Sequence, residues 1–213
     1  MAVKSDREYR DMTMEIRTAE NEEAPEERKV VRGYASTFNE PYTLYENDDW
    51  RFNEVVDARA FDNTDMSDVI MQYDHEGRVF ARMSNNTLTV TPDEKGLLIE
   101  ADLGGTELGR QLYEEIRGGY TNKMSFGFTV DGDEMLDTKD VDGKALTVRT
   151  ITSVRKLYDV SAVSLPANDA TSISVRNLTD GEIERIQAER LEAEKLELRR
   201  KKLMLEIDLS GGR

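Results

Sequence analysis

Three side chains of this sequence have the types that acyl transfer needs: an imidazole, an alcohol and a carboxylate. His75 is the only histidine. It follows the apolar run Val69 to Tyr73 and lies between two acids, Asp74 and Glu76. A lone histidine is as a rule a surface or structural group, here a polar residue at a strand exit; catalysis is the alternative. Ser125 stands in the middle of Lys123 to Val130, opposite Met124, Phe126, Phe128 and Val130 in a period-two pattern. Gly127, two positions on, leaves the serine's face open to an approaching backbone. A nucleophilic serine needs that fixed backbone, an exposed hydroxyl and room for a carbonyl. A serine on the solvent side of an amphipathic strand is the plainer reading of the same pattern. Asp159 falls among Leu157, Ser161, Val163 and Leu165, residues that an unbroken strand would place on its own face. Burying a carboxylate there is costly unless it is bonded. An imidazole partner, whose tautomer the acid would then hold, and a structural bond to backbone both meet that need.

Other chemistries are excluded by composition. The chain of 213 residues has 44 acidic and 29 basic residues, a net charge of -15. Such a chain repels phosphate backbones, so nucleic acid is not an expected partner. It has no cysteine, which removes disulfides, thiolate-ligated metals and a cysteine nucleophile. A single histidine removes every site built on two. No apolar run approaches the ~20 residues of a membrane span, and the first residues lack the apolar segment of a secretory signal. The acids Asp131, Asp133, Asp137, Asp140 and Asp142 fail the calcium-loop template, with Leu136 where its glycine belongs and Asp142 where its glutamate belongs. No serine lies in the Gly-x-Ser-x-Gly elbow of α/β-hydrolases. No cofactor and no metal are expected.

The segments that carry these residues read mainly as strands. Met12 to Arg17, Val30 to Phe38, Val69 to Tyr73, Thr87 to Thr91, Gly96 to Leu103, Lys123 to Val130, Leu146 to Thr152 and Lys156 to Leu165 read as strands from alternation and β-branched content. Asn39 to Arg51 and Asp131 to Gly143 read as polar loops, and Asp57 to Asp62 as a short helical turn. Thr106 to Arg117 is predicted as a helix, capped by Thr106 and stopped by Gly118-Gly119. About eight strands and one helix indicate an α+β, mainly β fold, a mixed barrel or sandwich. From Asp180 the character changes to a charged helix, with Thr179 and Glu182 at capping-box spacing. Ala188, Leu191, Leu198 and Leu205 fit a heptad seam that Lys195 and Lys202 interrupt, so an extended or partner-packed helix is favoured over a self-sufficient coiled coil. The domains predicted are therefore 1–178 and 179–213.

Taken in order, these segments resemble a known family. RGYASTF (Arg32 to Phe38), ARAFD (Ala58 to Asp62), QYDH (Gln72 to His75), EADL (Glu100 to Leu103), RGGY (Arg117 to Tyr120), KMSFGF (Lys123 to Phe128) and DVSAVSLPAN (Asp159 to Asn168) follow the order and spacing of the prohead maturation proteases of tailed bacteriophages. The resemblance spans roughly Met14 to Val175. It implies an assemblin-like mixed β-barrel and a serine endopeptidase that cuts scaffold and the N-terminal region of the capsid protein, and finally itself, inside the procapsid in the host cytoplasm. It implies His75 as general base and Ser125 as nucleophile. Asp159 stands where the family usually has Glu, so it is either a shorter third member or a structural residue. Relatives often carry Pro-Gly before the Ala-Phe of Ala60-Phe61, a change read here as one of turn shape. Gly104-Gly105 and Gly118-Gly119 are the candidate oxyanion donors. Capsid and scaffold proteins are the implied partners, and a homo-oligomer is open. The rivals are a non-catalytic scaffold or assembly protein on the same fold, and a plain β-barrel binding module in which Ser125 and His75 never meet.

Overall fold

The computed structural model describes residues 7–15, 17–18, 28–163 and 182–210. The chain divides into two units, Met1–Ser174 and Val175–Arg213. The first contains strands β1 (Glu8–Glu15), β2 (Arg17–Thr18), β3 (Val30–Thr37), β4 (Tyr42–Glu46), β5 (Trp50–Val56), β6 (Ile70–Tyr73), β7 (Glu76–Arg82), β8 (Leu88–Pro92) and β9 (Gly96–Asp102). Helix α1 (Glu107–Arg117) and the long strands β10 (Lys123–Lys139) and β11 (Ala145–Val163) follow. The second unit contributes helix α2 (Glu182–Ser210).

The fold is mainly β, as the alternation indicates, but its sheets do not close into a barrel. One sheet runs β1-β10-β11-β5-β4, with β6 also paired to β11 and β7 to β6; the other runs β2-β3-β9-β8. The reason lies in the length of β11. Its residues 145–151 pair in parallel with β5, and its residues 159–162 pair in parallel with β6. The sheet therefore branches along one strand instead of curling until its edges meet. Between the sheets lies a core in which Phe126 stacks on Phe128 at 4.6 Å and Phe61 leans on Phe38 and Phe126. Met71, Leu97, Ile99, Val160 and Ala162 are buried with them.

Several elements differ from the sequence expectation. The segment 39–51 holds strand β4 and the start of β5 rather than a loop. Strand β5 alternates buried and half-buried, but one of its buried positions is Glu54, which disguises the pattern. The acidic segment 131–143 is mostly strand: β10 runs on to Lys139, leaving 140–144 as the turn. Cross-strand bonds offset the charge, with Arg149 donating to Asp133 at 2.5 Å, Arg155 to Asp131 at 3.0 Å and Thr147 to Asp137 at 2.6 Å. The two strands expected over 146–165 form one, β11. Residues 57–64 form successive turns closed by Ala60 N–H to Asp57 and Asp62 N–H to Arg59, without a helix. Helix α1 starts as expected, its Thr106 side chain accepting from Gly109 N–H at 2.9 Å. It buries Leu112 and Ile116 and leaves Leu108 exposed.

In the second unit, Leu191, Leu198 and Leu203 of α2 are exposed, and Arg185–Glu189 and Lys201–Glu197 pair at four-residue spacing. The proposed capping residue Thr179 lies outside the described residues. Among the described residues no helix is long and apolar enough to cross a membrane.

Candidate active site

The site is built on the β10–β11 ladder. Ser125 pairs with Ser161 and Gly127 with Asp159, so the four residues form a block on one face of two adjacent strands. A bulge puts Asp159 there. The register slips between Gly127 and Phe128, with Asp159 opposite the first, Leu157 opposite the second, and Tyr158 left over. Leu157 therefore faces the core and Asp159 the site, which corrects the expectation that they share a face. Beyond the bulge the alternation resumes, with Val160 and Ala162 in the core and Ser161 beside Asp159.

His75 arrives from the neighbouring strand. Strand β6 runs parallel to β11, Ile70 beside Asp159 and Tyr73 beside Ala162. It then reverses into β7 through a two-residue turn, Asp74-His75, with φ of 49° and 60°. Two left-handed residues in succession are what a type I′ hairpin turn requires, and Asp and His tolerate that region better than most residues. The Asp74 N–H donates to the Ala162 carbonyl at 3.0 Å, which ties the turn to β11. The imidazole is thereby turned back over the block.

The three predicted site residues meet there. His75 Nδ1 bonds Asp159 Oδ1, and His75 Nε2 lies 2.5 Å from Ser125 Oγ. An ionised carboxylate only accepts, so Nδ1 carries the proton toward Asp159 and Nε2 is left as the acceptor facing the alcohol. The Asp159 side chain is 2% exposed and that of His75 15%.

Ser125, expected to present an exposed hydroxyl, is fully buried. Its Oγ also lies 3.0 Å from the Arg10 carbonyl of β1. With one proton, the hydroxyl serves either that carbonyl or the imidazole at a given moment.

Sequence reasoning missed the contribution of β1 and its approach. Tyr9 stands edge-on to the His75 ring, centroids 4.5 Å apart. The Arg7 guanidinium lies over the Tyr158 ring and 3.9 Å from Asp159 Oδ2. Arg10 is buried on the other face of β1, donating from Nε and Nη2 to Glu54 at 2.5 and 2.8 Å. Arg149 donates to Glu54 at 3.0 Å and to Glu8 at 2.7 Å. Burial works against charge in this cluster, but the opposite charges outweigh it: Arg10 and Arg149 are raised by Glu54 and Glu8, and Glu8 is lowered by Arg149 and Arg10. Burial, with the Glu54 carboxylate, pushes the Tyr42 phenol well up, so it stays protonated and donates to Glu54. Nothing in the polar run Arg7 to Asp11 signals these roles.

Three of the four N–H groups expected as oxyanion donors are engaged elsewhere. Gly104 N–H is taken by Asp102 at 3.0 Å, and Gly118 and Gly119 N–H close helix α1 onto Glu114 and Ile116. The acidic residues read as a failed calcium loop are dispersed: Asp140 bonds Arg51, while Asp131, Asp133 and Asp137 face β11.

A family model described as Caudovirus prohead serine protease matches residues 13–185. No match was found among curated proteins or among solved structures.

Proposed function

Since the chain belongs to the caudovirus prohead serine protease family, we propose that it is an active serine endopeptidase in which Ser125 is the nucleophile, His75 the general base and Asp159 the third member. The observation that supports this reading is the unbroken line Asp159–His75–Ser125; a carboxylate on Nδ1 favours the tautomer a base requires. Family membership assigns the coarse activity, a serine peptidase of phage capsid maturation; the residue roles and the substrates are our reading.

The chemistry follows ordinary acyl transfer. His75 Nε2 takes the Ser125 proton as Oγ attacks a peptide carbonyl, and Asp159 stabilises the imidazolium that forms. His75 then protonates the leaving amine, and water repeats the sequence to release the acyl group. Because Ser125 is fully buried, acylation needs a local opening that uncovers Oγ. The substrates we assign are scaffold and the N-terminal segment of the major capsid protein, cut within the procapsid, and finally the protease chain itself. Residues 1–178 would carry the activity, and the segment 179–213, which holds α2, would contact scaffold or be removed.

Co-expression with the scaffold and capsid proteins tests this reading, comparing wild type with Ser125→Ala and His75→Ala. Processing by wild type and none by either variant is expected. An unchanged fragment pattern in Ser125→Ala would leave a non-catalytic assembly protein as the reading.

A further inference from the structure

Ser161 lies directly across the ladder from Ser125 and is itself fully buried. Its Oγ donates to Asp159 Oδ1 at 3.2 Å and lies 3.3 Å from His75 Nδ1. The other carboxylate oxygen, Oδ2, is buried and accepts no hydrogen bond among the described residues. Both bonds to this carboxylate, from His75 and from Ser161, therefore fall on one oxygen. A carboxylate's last torsion turns about an sp³–sp² bond and has no staggered wells to hold it. Something else must fix which oxygen meets the imidazole and at what angle. The other neighbours of Asp159 act on Oδ2 and give Oδ1 no hydrogen bond: the Arg7 guanidinium lies within ion-pair range of Oδ2 at 3.9 Å, and Oδ2 packs against Gly127 beside the Tyr9 ring, while Ser125 lies beyond the imidazole.

We infer that Ser161 is a positioning residue of this site, pinning Asp159 Oδ1 so that His75 Nδ1–H is held and Nε2 stays aimed at Ser125. The inference rests on the roles proposed above for those three residues. Ser161 touches no reacting atom and acts through Asp159. Its hydroxyl proton goes to Oδ1 and not to Nδ1, because Nδ1 carries its own proton toward the same oxygen.

The test compares wild type, Ser161→Ala and Ser161→Cys. Cysteine fills the site but is a weak donor, so it separates a hydrogen-bonding role from a packing role. Two readouts are taken on chains shown to be folded by thermal unfolding. The first is kcat and KM on a peptide spanning a processing site mapped by co-expression. The second is the proton resonance of the imidazole N–H, which is unambiguous because the chain has one histidine. Both variants should lose about tenfold in kcat, the scale of one hydrogen bond to a charged group, with KM within about twofold. Both should shift or broaden the imidazole resonance. Wild-type kcat and resonance in Ser161→Cys would overturn the inference in favour of packing, and wild-type values in Ser161→Ala would overturn it outright. If wild type cleaves nothing, the peptidase reading fails separately, and the resonance alone decides whether Ser161 orders the Asp159–His75 pair.

Discussion

Gly127 and Asp159 face one another across the β10–β11 ladder, and the carboxylate oxygen Oδ2 lies against the point where a Gly127 Cβ would stand. The Tyr9 ring closes on the same point from β1. The gap left by the missing side chain is filled by the acid that bonds the imidazole, not by an incoming backbone. A methyl there would collide with both neighbours.

Gly127→Ala is accordingly expected to push the carboxylate off His75. Misplacing a catalytic partner by about 1 Å costs roughly a hundredfold, so kcat should fall by about that factor while the chain still folds. Steady-state kinetics beside a thermal melt checks this. Activity within threefold of wild type would mean that catalysis does not use the carboxylate where it stands.

Asp159→Asn keeps the shape and removes the charge. Without an acceptor-only partner, the imidazole can take the opposite tautomer and present N–H to Ser125. A loss on the order of 10⁴ in kcat is expected, by analogy with a serine-protease triad. A loss below about tenfold would assign Asp159 a structural role.

The buried cluster of Arg10, Glu54 and Arg149 holds β1 against the sheet. Glu54→Gln would leave two buried guanidinium groups short of a charge. Breaking a buried ion pair from one side costs about 3–5 kcal/mol, which for a chain of this size lowers Tm on the order of 10 °C. The exposed Arg32–Glu100 pair is the control. Arg32→Ala should change stability by about 1 kcal/mol at most. Equal melts for the two variants would contradict the role of the cluster.

Acid should destabilise the fold in a defined window. Arg51 and Lys144 hold Glu46 down to about 2, and Arg82 holds Asp68 down to about 2. Glu8 and Asp102 are also lowered, their arginine partners outweighing burial. A carboxylate depressed in the folded state contributes stability above its unfolded value, and that contribution is lost as pH falls through the folded value. Tm should be flat from pH 7 to 5 and decline between about pH 4.5 and 2. The surface pairs are screened, so 1 M salt should shrink only their share. A decline already under way at pH 6 would require another titrating group.

Deleting residues from Asp180 onward should leave peptide cleavage intact and reduce incorporation into procapsids. The division of the chain near Ser174 and the exposed apolar side chains of α2 motivate the test. Lost cleavage with normal incorporation would reverse the assignment.

Much of this was legible in the residues. His75 after an apolar strand, Ser125 opposite a row of large apolar side chains, and Asp159 in an apolar stretch of chain were each distinguishable because a polar group in an apolar pattern needs a partner. The hairpin over 42–56 was not, because Glu54 occupies a core position and its partners, Arg10 and Arg149, lie 44 and 95 residues away. The extent of β10 was hidden likewise, since the charges that make 131–139 look like a loop are balanced only by β11.

Composition and period-two alternation are local properties, so the residues alone establish the chemistry on offer: one imidazole, no thiol, and a serine within a strand pattern. That the three groups meet follows from the fold. A bulge of one residue turned Asp159 to the serine's face, a left-handed turn folded His75 back over it, and β1 set the Arg10 carbonyl beside the hydroxyl. Each depends on which strands pair and in what register, and pairing energy is spread over residues far apart in the chain.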